Sequence, residues 1–199
     1  MEFTVLDISS TLGICALLVL SFNFLLGTML STAYKRSIYW KKLPLTIRKI
    51  DVNKVHNWTA YLALACILLH PALLLLDKEN NFKLADLLVP FRAPKQPAMV
   101  AMGVIALYLI FLVIITTQKS IKKLMGFRFW KNIHLISYCT AFLTCLHGIF
   151  LDPQLKDRAP DYFDGEKLIC ELCLLLLLAV TIIRFRYYLK KQRPSEISN

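Results

Sequence analysis

Two stretches decide the fold: His56-Asn-Trp-Thr-Ala-Tyr-Leu-Ala-Leu-Ala-Cys-Ile-Leu-Leu-His70 and His134-Leu-Ile-Ser-Tyr-Cys-Thr-Ala-Phe-Leu-Thr-Cys-Leu-His147. Each is an apolar run bracketed by histidines, and together they hold all four histidines of the 199-residue chain. Crossing the hydrocarbon of a bilayer takes about 20 apolar residues in a helix. Reading outward, five stretches meet or approach that length: 8–30, 56–76, 98–117, 130–151 and 168–183. The last is short, but Arg184 and Arg186 can snorkel at its end. The spacing therefore predicts an all-α membrane protein, a bundle of five helices. One domain over 1–190 and a short tail, 191–199, account for the length. With 57% apolar and 19% charged residues, the chain is outside the range of ordinary soluble domains.

Seventeen of the 24 Lys and Arg fall on one side of this bundle: between spans 1 and 2, between spans 3 and 4, and in the tail with Arg193. The other side holds seven, together with acids such as Asp77, Asp86, Asp152, Asp157 and Glu166. The positive-inside rule then puts the N-terminus outside and the C-terminus in the cytoplasm. Met1-Glu2-Phe3-Thr4 lacks the basic start of a signal peptide. The net charge of +11 is explained by orientation and by anionic lipid head groups, without nucleic acid. Six cysteines lie almost wholly inside apolar runs, unlike a secreted disulfide framework.

His56 and His70 are 14 positions apart, and His134 and His147 are 13 apart. Each interval rises roughly 20 Å along a helix. Spans 2 and 4 run in the same direction, so His56 and His134 share the cytoplasmic level, and His70 and His147 the outer one. Two neutral imidazoles facing each other from two helices are a natural axial set for haem iron. Zinc or copper fits less well, because levels roughly 20 Å apart cannot serve one ion. The expectation is two stacked haems between spans 2 and 4, walled by Leu, Ala, Tyr138 and Phe142. Thirteen residues leave His134 and His147 some 140° apart on an ideal helix, so span 4 must be tightened or bent, or the haems offset. Pro71 should disturb span 2.

Three further features carry two readings each. Lys54, Arg128 and Lys131 flank the cytoplasmic-level histidines and either pair with haem propionates or only orient the chain. Cys170 and Cys173, at the start of span 5, are either a redox dithiol or two inert buried thiols. The 2–3 loop, with Pro90, Pro94, Pro97 and Arg92, either caps the outer haem or is a plain connector.

The run Gly103-Val-Ile-Ala-Leu-Tyr-Leu-Ile, then Thr116-Thr117, then Leu124-Met-Gly126-Phe-Arg128-Phe-Trp130-Lys-Asn-Ile-His134-Leu-Ile-Ser-Tyr138 resembles ferric-reductase-like transmembrane domains. The continuation to Leu146-His147-Gly148 does so too, and the resemblance extends from about Leu12 to Arg186. Members of that group include ferric reductases, the membrane cores of NADPH oxidases, and the haem subunit of the bacterial periplasmic methionine-sulfoxide reductase system. The resemblance implies two non-covalent b-type haems, one on His56 and His134, the other on His70 and His147. It also implies a plasma membrane location, the inner membrane in bacteria, with electrons moving from the cytoplasmic to the outer side. Many relatives continue into a flavin and nicotinamide domain and have a sixth span. After span 5 only Arg184–Asn199 follows here. The expected donor is therefore a separate flavin reductase, a quinol or a diffusible flavin. The expected acceptor is a partner oxidoreductase, a ferric chelate or dioxygen, the chain itself being the membrane haem subunit of an oxidoreductase. A haem sensor or assembly protein without turnover, and a haem-free scaffold, are the alternatives.

Overall fold

The computed structural model describes residues 4–156 and 161–192. Asp157 and Arg193, used above in reading the charge distribution, lie outside the described residues, as does the tail beyond Gln192. All regular structure in the described residues is helical. Five stretches are long and apolar enough to cross a membrane: Val5–Ser31, Val52–Leu74, Pro97–Thr117, Phe127–Phe150 and Gly165–Gln192.

Helix α1 (Val5–Ser31) starts at a reciprocal cap. The Thr4 hydroxyl accepts from the Asp7 amide, and the Asp7 carboxylate accepts from the Thr4 amide. The chain then turns through Ala33 in the left-handed region and a 3₁₀ turn at Tyr34–Arg36 into two short exposed helices, α2 (Ile38–Lys41) and α3 (Leu45–Arg48). Helix α4 (Val52–Leu74) is capped by Asp51, whose carboxylate accepts from the Asn53 and Lys54 amides. It runs unbroken through Pro71 and ends one turn later. The disturbance expected at Pro71 does not break the helix, which continues to Leu74.

The 2–3 connection forms one short helix, α5 (Leu84–Leu88), ahead of Pro90. Phe82, Leu87 and Ala93 from it are buried against Leu6, Val100 and Leu155, so the connection closes one end of the bundle. Helix α6 (Pro97–Thr117) begins with proline at its first position, where no amide is needed. Next come α7 (Lys119–Met125), a turn at Gly126 with φ +73°, and α8 (Phe127–His134). Span 4 is thus two helices, α8 and α9 (Ser137–Phe150), joined at Leu135–Ile136. The amides of Leu135, Ile136 and Tyr138 donate to carbonyls three residues back (Asn132, Ile133 and Leu135) at 3.2, 2.9 and 3.1 Å. A 3₁₀ step turns about 120° against about 100° for an α step. The junction therefore recovers part of the 140° offset, directly after His134. The last helix, α10 (Gly165–Gln192), is longer at both ends than the apolar run 168–183.

Helix α4 lies along α1, and α9 along α6, while α4 and α9 hardly touch. Between like-apolar helices in a bilayer, close approach depends on small and polar residues. Gly13 and Gly27 supply it on α1, and Gly103 on α6. Lys167, buried at the start of α10, donates from Nζ to the Gly148 carbonyl at 2.9 Å and to that of Leu151, satisfying the end of α9.

Candidate functional site

Across the gap between α4 and α9 the four histidines form two pairs. The ring centres of His56 and His134 are 6.3 Å apart, with planes at 71°. Those of His70 and His147 are also 6.3 Å apart, with planes at 82°. The sequence-derived pairing is what the fold brings together, and the tightened junction after His134 lets span 4 present both of its rings.

Three of the rings are held in the same way. His70 Nδ1 is 2.7 Å from the Ser9 carbonyl oxygen, His56 Nδ1 is 3.1 Å from that of Asn23, and His147 Nδ1 is 2.8 Å from that of Met99. A carbonyl only accepts, so each Nδ1 carries the proton and each Nε2 keeps its lone pair. This is the tautomer that a metal-ligating histidine needs, with its other nitrogen anchored to the backbone. Each of the three also lies against a glycine. A Cβ added at Gly13 would stand 3.1 Å from His70 Nδ1, one at Gly27 3.2 Å from His56 Cε1, and one at Gly103 2.9 Å from His147 Cε1. The grip is tightened by side chains of α1. The Ser9 hydroxyl donates to the His70 carbonyl at 2.8 Å, and the Asn23 amide donates to the His56 carbonyl at 2.5 Å and to Thr59 Oγ1 at 2.8 Å.

His134 is held differently. It stacks on Trp130, centres 5.1 Å apart at 26°, and its buried Nδ1 has no hydrogen-bond partner; nor has Trp130 Nε1. The Lys122 ammonium sits 3.5 Å over the Trp130 ring. Arg184 donates to the Tyr138 hydroxyl at 2.7 Å, and Tyr138 packs edge-on against Phe24.

The two pairs fit haem ligation. A metal–imidazole bond of about 2 Å, with the nitrogen roughly 1.2 Å from the ring centre, puts two axial imidazole centres roughly 6.4 Å apart. Between His70 and His147 lies a cavity with walls that include Leu17, Val104, Leu107 and Leu151. That space has the apolar character of a cofactor site. Neither Phe142, which is 43% exposed, nor Tyr138 lines this cavity, although both were expected among the walls.

The chain matches the family model described as "Ferric reductase like transmembrane component" over residues 12–145. It belongs to that family. Together with the five apolar helices, membership makes it a multi-pass membrane protein with a role in membrane electron transfer. The matched segment holds His56, His70 and His134 and the glycines that face His56, His70 and His147; it ends two residues before His147. No curated protein matches the sequence.

Of the other residues singled out from sequence, Cys170 lines the cavity between His70 and His147. Lys54, Arg128 and Lys131 are exposed. Arg92 is exposed and pairs with Asp86 at 3.4 Å. Cys170 and Cys173 are buried free thiols that share a core cluster with Cys145. Sequence reasoning missed Ser9, Asn23 and the three glycines. Their signal is present, because Ser9 and Asn23, and Gly13 and Gly27, repeat at 14 residues, the spacing of His56 and His70.

Proposed function

We propose that this family member is a bis-haem carrier that moves electrons across the membrane. In this reading His56 and His134 hold one b-type haem and His70 and His147 the other. The support is one observation: two facing imidazole pairs, each 6.3 Å between ring centres, three of the four rings with Nδ1 donated to a backbone carbonyl. Haem supplies a one-electron ferric–ferrous couple, and filling both axial positions favours electron transfer over ligand binding at iron. The protein's part is to fix the imidazole tautomers, to exclude water with aliphatic walls, and to stack the two levels roughly 20 Å apart along α4.

The basic surplus at the His56/His134 level makes that level cytoplasmic and the His70/His147 level outer. Electrons then enter from a flavin reductase, a flavin or a quinol and leave to an oxidoreductase, a ferric chelate or dioxygen. Lys54, Arg128 and Lys131 remain the propionate partners in this reading, reaching inward from the exposed rim. Purified protein should carry about two haems per chain, removable with acid–acetone since no haem-attachment motif is present, and dithionite should shift its Soret and α bands. Apo protein that takes up no haem on reconstitution would refute the proposal.

A further inference from the structure

Helix α10 carries an inward stripe. Cys170, Cys173, Leu177 and Val180 are buried along it, at alternating steps of three and four residues. The next position on that stripe is Arg184, which is half-buried, whereas Arg186, Lys190 and Lys191 beyond it are exposed. Arg184 therefore turns into the bundle instead of snorkelling outward, and its guanidinium donates to the Tyr138 hydroxyl at 2.7 Å. Cys170, 14 residues earlier, lines the cavity between His70 and His147. On an unbroken helix that interval rises roughly 20 Å and turns about 40° short of four full turns. Arg184 thus stands at the His56/His134 level, on the face that Cys170 presents to the other level. Tyr138 is one turn from His134, and the Arg184 charge is close enough to act on the His134 ring.

The charge at Arg184 lacks an anion. A cation turned into a membrane bundle is costly unless an opposite charge compensates it, and a phenol hydroxyl is neutral. Among the described residues the only carboxylate at this end of the bundle is Asp51, which is exposed and caps α4. A guanidinium has five donors in a fixed fork, and the bond to Tyr138 uses one of them. The fork matches the two oxygens of a carboxylate.

We infer that Arg184, seated on Tyr138, binds a propionate carboxylate of the haem held by His56 and His134. The inference rests on the haem reading of the pairs. Haem brings two carboxylates, and the exposed Lys54, Arg128 and Lys131 meet only what reaches the rim; Arg184 supplies a cation from inside the bundle. Its seat is tied to the ligand grip. Tyr138 packs edge-on against Phe24, and the neighbouring Asn23 carbonyl accepts from His56 Nδ1. One chain of contacts therefore links an axial ligand to the anion site.

The test titrates two ligands into full-length apo protein in neutral detergent: haem, and haem with both propionates methyl-esterified. The spectral component lost in His134→Ala reports the His56/His134 level. Arg184→Met should weaken haem binding at that level by about ten- to a hundredfold, the scale of a hydrogen bond to a charged group. It should leave the other level in place and the affinity for the diester unchanged. If Arg184→Met does not yield folded protein, Arg184→Gln, neutral but polar, carries the same expectation. An unchanged haem affinity would overturn the inference alone. So would an equal loss for haem and diester, which marks a purely structural arginine, or a loss seen only with added phosphatidylglycerol, which assigns Arg184 to a lipid phosphate. Unmodified protein that takes up neither ligand would overturn the functional reading and this inference together.

Discussion

Gly103→Ala adds a single methyl group, yet it strikes the His147 ring directly. The new Cβ would lie 2.9, 3.1 and 3.2 Å from Cε1, Nδ1 and Nε2. Carbon atoms rest at about 3.5–4.0 Å, so the ring must retreat by roughly 0.6 Å or more. The room for retreat is small, because Nδ1 is tied to the Met99 carbonyl at 2.8 Å on the same helix. A metal–ligand bond tolerates about 0.2 Å, so a displaced Nε2 would be out of reach of an iron held in the proposed way. Loss of a group that orients a ligand typically costs 10–100-fold in metal affinity, and we expect a loss of that order at the His70/His147 level only. The assay is haem titration into apo protein with reduced-minus-oxidised spectra. Gly165→Ala, whose added Cβ meets nothing within 4 Å, is the control. Full occupancy of both sites in Gly103→Ala, at unchanged affinity, would refute the reasoning that the glycines exist to seat the rings.

The ligand pairs should fail together: His70→Ala and His147→Ala each remove the same spectral component, and the double variant is little worse than either single one. Loss of one component by His56→Ala and His147→Ala instead would break the pairing. Imidazole planes at 71° and 82° should give ferric EPR signals of the highly anisotropic low-spin kind; ordinary rhombic signals would mean parallel planes. A reporter fused to the C-terminus should be active only on the cytoplasmic side, as the basic residues dictate, and activity on the outer side would exchange the two haem levels. Lys167→Met should destabilise the protein by about 1–3 kcal/mol, because the carbonyls of Gly148 and Leu151 lose their donor; an unchanged melting temperature in detergent would count against the cap.

The five spans and the pairing of the histidines were legible in the sequence for a physical reason. Span length and the confinement of histidine to two apolar runs are one-dimensional properties, and helical rise converts them directly into levels. The support of the rings was not legible, since its acceptors are backbone carbonyls, which every residue has. Ser9, Asn23 and Met99 share no side-chain chemistry; what they share is a position four residues before a glycine. Phe142 was misplaced because apolar composition does not say which face of a membrane helix meets the cofactor. Lipid-facing and cofactor-facing positions are equally apolar, so the amphipathic signal that orients helices in soluble proteins is missing here.

The break at Leu135–Ile136 connects these points. On α4 a spacing of 14 turns about 40° short of four full turns, so one straight helix presents His56 and His70 on one face. Span 4 has one residue fewer between its histidines and cannot do this with regular α geometry. The tightening falls immediately after His134, in the last turn of α8, where Trp130 is already stacked on the ring. Short spacing, tightened junction, stacked tryptophan and an unpartnered Nδ1 therefore all occur at one histidine. Three rings are fixed by a uniform device of carbonyl and glycine, and the fourth by aromatic stacking. A bundle built from two nearly equivalent helix pairs is thereby made unequal at its two levels.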